Sequence, residues 1–242
     1  MRRTAFFVIA GPACIVGYGL VRLWGRSDGT YGPGFDWQAA HLVGLAGMVL
    51  FVPVVLALAG LLRPGPWRTS VVAVTLVGLA ATMVQFGADI VEGLLAADRA
   101  EMSALGADFK DVPGVEVVFY DVVPQLFFLG LLVLAGMLAA HRLLPWWSVA
   151  LLLVGIGLPA VTLDLLPLGG LCMLVALAPA LRRIQTSNDG STWSTVKTVT
   201  GGDGGVDEHS DLGANGRYLR IYGTARGTGH GHSLWEVEAY TS

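Results

Sequence analysis

The stretch AAHLVGLAGMVLFVPVVLALAGLL, residues 39–62, decides the fold class of this chain. It is apolar along its whole length apart from one ionisable side chain, His41, close to its start. A bilayer core about 30 Å thick needs roughly 20 apolar residues of helix to cross it. The stretch therefore predicts a transmembrane helix.

The composition extends this prediction to most of the chain. Its 242 residues are 54% hydrophobic and 14% charged, and the mean hydropathy is +0.63. These values are typical of a membrane protein rather than a soluble domain. The net charge of -3 provides no basic surface and argues against a nucleic-acid partner. Cys14 and Cys172 both lie in apolar runs, a pattern that indicates neither a loop disulfide nor a paired metal site.

Further apolar runs predict the remaining helices. Runs 4–23, 71–95 and 115–140 are each long enough to span a bilayer. Run 146–181 is too long for one span, and LDLLPLGG, residues 163–170, supplies a Pro and two Gly that can turn one short helix into the next. We therefore predict a mainly α membrane protein, a polytopic bundle of six transmembrane helices with five as the alternative. The first helix is interpreted as an uncleaved signal anchor, because no A-x-A cleavage site follows it.

Tryptophan and the basic residues predict the span ends and the orientation. The tryptophan ring prefers the headgroup level of a membrane. The tryptophans near predicted span ends are Trp24, Trp37, Trp67, Trp146 and Trp147. The distribution of Arg and Lys between loops favours a multi-pass protein of the plasma membrane with a cytoplasmic amino terminus. Six spans leave the carboxyl-terminal tail in the cytoplasm and five leave it outside, so its side stays open.

The composition changes abruptly after ALRR, residues 180–183. We predict a transmembrane domain over 1–183 and a small β domain over 184–242. SNDG, residues 187–190, predicts a tight turn. Three runs that alternate apolar and polar residues predict strands: TWSTVKTVT at 192–200, RYLRIYG at 217–223 and SLWEVEAY at 233–240.

These tail motifs, read in order as SNDGSTWSTV, RYLRIYGTARGTG and SLWEVEAY, resemble the carboxyl-terminal half of the discoidin, or coagulation factor 5/8 type C, family. The bacterial carbohydrate-binding modules of that family are particularly similar. The resemblance covers about the last quarter of the chain and implies half of a jelly roll. It further implies binding of a carbohydrate, a lipid headgroup or a protein through loops at one end, and a structural calcium ion. On this resemblance, Arg226, His230 and His232 lie at one edge of the binding face, and Glu236 is the acidic residue of the calcium site.

Half a jelly roll leaves a sheet face without a covering layer. The alternation predicts Leu219 and Ile221 on the inner face and Arg220 on the outer face. The apolar residues expected to lie uncovered are Leu219, Ile221, Leu234 and Val237. A module of this size has little core of its own, so we expect it to be partly disordered, to pack on the membrane domain, or to pair with another chain that completes it. Trp193 and Trp235 are interpreted as core aromatics rather than a sugar platform.

Ionisable residues inside predicted spans are costly and therefore informative. Gln85, Asp89 and Glu92 follow the i, i+4, i+7 spacing of one helix face. With alternating spans, most of these polar residues come to the same membrane side, predicted to be the exterior. The predicted intramembrane polar cluster comprises His41, Gln85, Asp89, Glu92, Asp121, Gln125 and Asp164. A His and several carboxylates at similar depth can bind a divalent metal or cationic solute or pass protons. The interpretation favoured by the sequence is a polar layer near the interface, bonded between helices, because polar residues cost less there than at the midplane.

Two function classes remain open at this point. The first is a membrane-anchored binding or interaction protein whose ligand contacts are Arg226, His230 and His232. The second is a small transporter or cation-handling protein whose site is His41, Asp89, Glu92 and Asp121, with a tail that gene fusion or truncation has left without a role. No combination of nucleophile, base and orienting acid is apparent in the sequence, so we predict that the protein is not an enzyme.

Overall fold

The computed structural model describes residues 2–27, 29, 31–141, 143–181, 183–199, 207–222 and 236–240. The chain divides into two compact units, Met1–Ala178 and Pro179–Ser242, and each is described by itself. The first unit is helical and the second contains a small antiparallel sheet. This confirms the predicted fold class, a mainly α membrane protein followed by a small β segment.

The helices of the first unit agree closely with the predicted spans. They are α1 (Arg2–Gly25), α2 (Phe35–Ala59), α3 (Pro66–Leu95), α4 (Arg99–Asp111), α5 (Val123–Ala140), α6 (Trp146–Val161) and α7 (Leu166–Leu177). A π-helical turn, Val117–Asp121, precedes α5, and 3-10 turns at Leu163–Leu165 and Ala178–Leu181 flank α7. Five helical segments are long and apolar enough to cross a membrane, and α6, with 16 residues, is apolar but shorter.

The six apolar helices pack as a closed ring. Each of α1, α2, α3, α5 and α6 contacts the next apolar helix along the chain, and α7 returns to contact α1. Phe51 of α2 and Phe127 of α5 are fully buried and meet edge to face across the ring, with centroids 5.2 Å apart. The outer surface carries exposed apolar side chains such as Leu20, Val49 and Leu129. Helices that are apolar on both inner and outer faces are typical of a bundle surrounded by lipid.

One ion pair determines the direction of α6. Arg22, near the end of α1, contacts Asp164 in the turn between α6 and α7, with Nη1 and Oδ1 2.8 Å apart. This turn therefore lies at the end of the bundle where α1 finishes. Since α6 starts directly after α5, it begins at the opposite end and runs the length of the bundle despite its 16 residues. Six apolar helices thus run between the two ends.

Helix α4 was not among the predicted elements. Its amino terminus is capped in both directions: Asp98 accepts hydrogen bonds from the amides of Ala100 and Glu101, and the Glu101 carboxylate accepts one from the amide of Ala97. Such a reciprocal cap stabilises a helix start. Met102 is its buried residue, so α4 lies mostly on the surface. The predicted tryptophan positions are confirmed, since all five tryptophans lie within the first or last turn of a helix.

The second unit contains strands β1 (Arg183–Ser187), β2 (Ser194–Thr198) and β3 (Tyr218–Tyr222), with β1 in the centre and both neighbours antiparallel to it. Strands β2 and β3 confirm two predicted strands, and β1 was not predicted. The strand predicted at 233–240 is wrong for 236–240, which are exposed and not in a strand, while 233–235 lie outside the described residues. A strand persists only through backbone bonds to a neighbour, and no described segment pairs with 236–240.

The predicted difference between an inner and an outer face of β3 is wrong. Leu219 and Ile221 are 44% and 45% exposed, and Tyr218 and Tyr222, on the other face, are 47% and 38% exposed. Arg220 is less exposed, and Gln185, opposite it in β1, is buried. The expectation of uncovered apolar residues is confirmed for Leu219, Ile221 and Val237. Leu234 lies outside the described residues. Both faces of β3 therefore carry exposed side chains, and the buried side chains opposite it in β1 are the polar Gln185 and Ser187.

Candidate functional site

The bundle end where α1 and α3 finish and α2 begins is called the polar end. Its centre is the first turns of α2, where Trp37 and His41 stack with ring centroids 4.1 Å apart. His41 is buried, and Tyr18 and Phe86 pack their rings against it. The His41 Nδ1 lies 2.8 Å from the carbonyl oxygen of Trp37. Because a carbonyl only accepts, Nδ1 carries a proton and donates it there.

His41 faces a carboxylate across the interface between α2 and α3. Its Nε2 is 3.7 Å from Oδ2 of Asp89. The indole of Trp37 donates to the carbonyl oxygen of Asp89 at 2.8 Å, and Gln38 donates to that of Ile90 at 3.0 Å. This close approach requires Gly93, because a Cβ there would lie 2.8 Å from the indole nitrogen of Trp37. The start of α2 is thereby fixed against α3, and His41 faces Asp89 at a distance beyond that of a direct hydrogen bond.

Glu92 lies almost one turn beyond Asp89 on α3 and is covered by α4. A Cβ at Gly106 would lie 3.0 Å from Oε2 of Glu92, so the two helices nearly touch at this point. The Glu92 Oε1 and the hydroxyl of Tyr120 are both buried, and neither has a hydrogen-bond partner among the described residues. Lys110 of α4 lies 4.5 Å from the centre of the Tyr120 ring. A buried carboxylate oxygen with no protein donor is able to accept from a solute, a water or a cation.

The other members of the predicted cluster are distributed differently. Gln85 is half-buried one turn before Asp89 on α3, while Asp121 and Gln125 are exposed. The structure therefore pairs His41 with Asp89, and Glu92 follows Asp89 on the same helix, whereas Asp121 is exposed. Within the described ranges, no three His, Cys, Asp or Glu side chains are grouped as metal ligands.

Asp164 forms a separate contact at the same end. Its Oδ1 accepts from Nη1 of Arg22 at 2.8 Å and from Nη1 of Arg26 at 2.6 Å. The side chain of Arg22 is 14% exposed and that of Arg26 is 45% exposed. Because Asp164 already pairs with two arginines, it joins α1 to the turn before α7 rather than offering a free cation site.

A cavity of about 760 Å³ lies beside this contact. Its described lining comprises Arg22, Arg26, Gly29, Tyr31, Gly32, Pro33, Ala97, Asp98 and Arg99. Arg99 donates to the carbonyl oxygen of Tyr31 at 2.5 Å and lies over the ring of Trp37. Burial raises the pKa of the Tyr31 hydroxyl to about 12 although the neighbouring Arg22 lowers it, so the hydroxyl stays protonated at neutral pH.

The β segment has its own cluster of polar and aromatic side chains. The guanidinium of Arg220 lies 4.0 Å from the ring centre of Trp193 and 4.9 Å from that of Tyr222. Its Nε donates to Oε1 of the buried Gln185 at 2.8 Å, and Gln185 donates to Thr195 at 3.0 Å. Trp193 is half-buried and supports the guanidinium, which agrees better with a supporting aromatic than with an open platform.

The predicted turn at SNDG is confirmed, and it holds Trp193 in place. Asp189 Oδ1 accepts from the amides of Thr192 and Ser191, at 2.7 and 2.8 Å, and from the Ser187 hydroxyl. These bonds, led by that from Thr192, hold the pKa of Asp189 well below its usual range. The Trp193 indole donates to the carbonyl of Gly190 at 3.0 Å. The turn thus presents the Trp193 ring to Arg220.

Three of the four residues predicted from the family resemblance, Arg226, His230 and His232, lie outside the described residues. Glu236 is exposed, in a described segment without a strand. Comparison with family models, curated proteins and solved structures found no match to this chain. The discoidin resemblance and its calcium site therefore stay predictions.

Several contacts were missed by sequence reasoning. Trp37 was interpreted as a membrane-level marker but is also a hydrogen-bond donor between helices. The basic residues served only to orient the chain, although the four-residue spacing of Arg22 and Arg26 is typical of side chains on one helix face and was a readable signal. The capping sequence from Asp98 to Glu101 was the signal that could have identified α4. The stack of Trp193 on Arg220 joins two separate segments, and no local pattern predicts it.

Proposed function

We propose that this multi-pass membrane protein is a membrane-anchored binding protein whose β segment recognises a carbohydrate. The helical unit, with five segments long and apolar enough to cross a bilayer, provides the anchor. The observation that carries the proposal is the stack of Arg220 between Trp193 and Tyr222 on one face of the sheet.

The chemistry of that face suits a sugar. Tyr218, Arg220 and Tyr222 alternate along β3 and therefore share one face, and the two tyrosines are 47% and 38% exposed. Exposed aromatic rings offer apolar surface to the C–H face of a pyranose, while their hydroxyls and a guanidinium offer bonds to its hydroxyl groups. A guanidinium has five N–H donors, and the bond to Gln185 uses one of them.

The family resemblance supports the same assignment independently of the stack. It places Arg226, His230 and His232 in a loop that directly follows β3 in the chain. Residues that directly follow a strand can extend the surface at its end. Three side chains able to hydrogen-bond a sugar would, in that position, complete a site whose other part is the face of β3 that carries Tyr222 and Arg220. The proposal is that these loop residues add specificity to the contact made by Tyr222 and Arg220.

The test is a glycan microarray screen of the full-length protein in detergent, followed by titration of the strongest glycan. We expect Tyr222→Ala and Arg220→Gln each to weaken binding about tenfold or more, the loss of one charge-assisted bond or aromatic contact. Arg217→Gln is the matched control, because Arg217 is exposed just before β3. Glycan binding that survives Tyr222→Ala, Arg220→Gln and the triple change Arg226→Gln, His230→Gln, His232→Gln would overturn the proposal.

A second function is favoured by Glu92. Its buried carboxylate oxygen has no partner among the described residues, and it lies near the His41–Asp89 pair. These groups form a short polar track on α2 and α3 that could pass a proton or bind a cation. In proteoliposomes, proton or divalent-cation flux that is abolished by Asp89→Asn with Glu92→Gln, but kept by Asp121→Asn at an exposed position, would support this function. Unchanged flux with lowered thermal stability would instead assign these residues a structural role.

A further inference from the structure

We infer that the cavity at the polar end is a binding site for a phosphate group, with the headgroup of an anionic phospholipid as its source. Neither a residue of the β segment nor His41 or Asp89 is among the cavity's described lining residues, which come from the end of α1, from 29 and 31–33 in the loop that follows it, and from the start of α4. We call it the arginine cavity.

The hydrogen-bond donors of the lining favour an anion. Among the described lining residues of the arginine cavity, three are arginines, Arg22, Arg26 and Arg99, and one, Asp98, is a carboxylate. That carboxylate already accepts two amide bonds as the cap of α4. Asp164 compensates Arg22 and Arg26 through one shared oxygen. The Asp36 carboxylate also lies beside Gly25, at the end of α1, so it is the unused guanidinium N–H donors rather than the net charge that favour an anion.

The remaining donors suit a tetrahedral oxyanion. Arg22 and Arg26 each use one of their five N–H donors in a bond to Asp164, and Arg99 uses one in a bond to the carbonyl oxygen of Tyr31. The planar fork of a guanidinium matches the oxygens of a phosphate in a two-bond contact. The Tyr31 hydroxyl also lines the cavity, is buried and has no partner in the part of the chain that the structure describes. It supplies a neutral donor to the same ligand.

The position of the arginine cavity favours a lipid as the source of the phosphate. Trp24, 62% exposed and two residues before Arg26, is the kind of side chain that marks the headgroup level. Phe35, at the start of α2, is 79% exposed and extends apolar surface near the same loop. A phosphate at this level, with acyl chains along the apolar outer faces of the helices, satisfies both the guanidiniums and the exposed apolar side chains. The cavity volume falls within the range of about 300–1,000 Å³ of ligand pockets.

The test uses the full-length protein in dodecyl maltoside with three probes: dioleoyl phosphatidylglycerol, dioleoyl phosphatidylcholine and inorganic phosphate. Native mass spectrometry counts retained lipids, and thermal unfolding reports stabilisation. We expect phosphatidylglycerol to be retained and to raise the unfolding temperature more than phosphatidylcholine. Stabilisation by inorganic phosphate without lipid retention would keep the phosphate site but reassign its source to a soluble phosphate. Equal effects of both lipids with none from phosphate would overturn the inference.

Matched variants localise the site. Arg26→Gln and Arg99→Gln should each weaken phosphatidylglycerol binding about tenfold, the effect of losing one charge-assisted bond. Arg63→Gln removes the same charge from an exposed position at the opposite end of the bundle and should leave binding unchanged. Arg99→Lys keeps the charge and loses the fork, so it should fall between wild type and Arg99→Gln. An equal loss of phosphatidylglycerol binding in Arg63→Gln would mean that binding depends on the total charge of the protein, which contradicts a site in the arginine cavity.

Discussion

The two ends of the helical bundle use their polar side chains differently. At the polar end, the bonds from Trp37 to Asp89, from Arg99 to Tyr31 and from Arg22 to Asp164 join residues 52 to 142 positions apart in sequence. In the described loop between α2 and α3, at the opposite end, side-chain bonds stay local: Arg68 donates to Leu62 and Thr69 to Gly65. Long-range bonding fixes several helices in one arrangement, whereas local bonding only shapes a turn. The difference locates the bundle's candidate binding chemistry at the polar end.

Replacing one tryptophan at each end of the bundle should reveal the largest difference in stability between the two ends. Trp37→Ala removes a helix-to-helix hydrogen bond and the indole ring that stacks on His41 and contacts Tyr31. It should lower the free energy of unfolding by about 3 kcal/mol. Trp67, at the start of α3, is 79% exposed, so Trp67→Ala should stay within about 0.5 kcal/mol of wild type. Unfolding by sodium dodecyl sulfate in mixed micelles measures both. Equal losses in the two variants would remove the distinction between the ends.

Replacing Asp164 should lower the stability of the protein less than replacing Trp37, because the ion pairs of Asp164 with arginine are partly exposed. Asp164→Asn leaves the guanidiniums of Arg22 and Arg26 close together without their shared carboxylate, and should cost about 1 kcal/mol at low salt. Salt screens exposed pairs, so the loss should shrink in 1 M NaCl. Asp108→Asn, exposed on α4, is the control and should be neutral. A salt-independent loss would show that Asp164 acts through packing instead.

The smallest effect is expected from the ionisation of Tyr31. Burial raises the pKa of its hydroxyl to about 12, from an ordinary value of about 10. Because the pKa of the Tyr31 hydroxyl is higher in the folded than in the unfolded state, the protonated hydroxyl contributes to stability. This contribution is fully present below about pH 10 and is lost as the pH rises through about 12. The unfolding temperature of wild type should therefore fall more steeply across this window than that of Tyr31→Phe. Identical pH profiles would show that the hydroxyl is not protected at the polar end.

The sequence was sufficient to predict elements that rest on local physics. Apolar length predicted the membrane helices, Trp24 and Trp67 marked helix ends, and SNDG predicted the turn that Asp189 now organises. The face shared by Asp89 and Glu92 follows from helical spacing alone. Each of these features depends on residues within one or two turns of one another.

What could not be predicted depends on which segments meet. Arg22 and Asp164 are 142 residues apart, and only the packing of α7 on α1 brings them together. The strand β1 was missed because RIQTS follows an apolar helix directly, and its strand character comes from pairing with β2 and β3. Residues 236–240 show the converse, since their alternation fits a strand but no described segment pairs with them. The pattern of residues within one segment does not show which other segment of the chain will pair with it.

The central claim is that the short helix α6 crosses the bilayer, which puts the turn before α7 on the same membrane face as α4. Single-cysteine variants at Leu163, Asp108 and Arg63, in a chain with Cys14 and Cys172 replaced by serine, test this with a membrane-impermeant maleimide on sealed vesicles of known orientation. We predict that Leu163→Cys and Asp108→Cys label from one side and Arg63→Cys from the other. Labelling of Leu163→Cys from the same side as Arg63→Cys would contradict the account, because α6 would then return to the face on which it began.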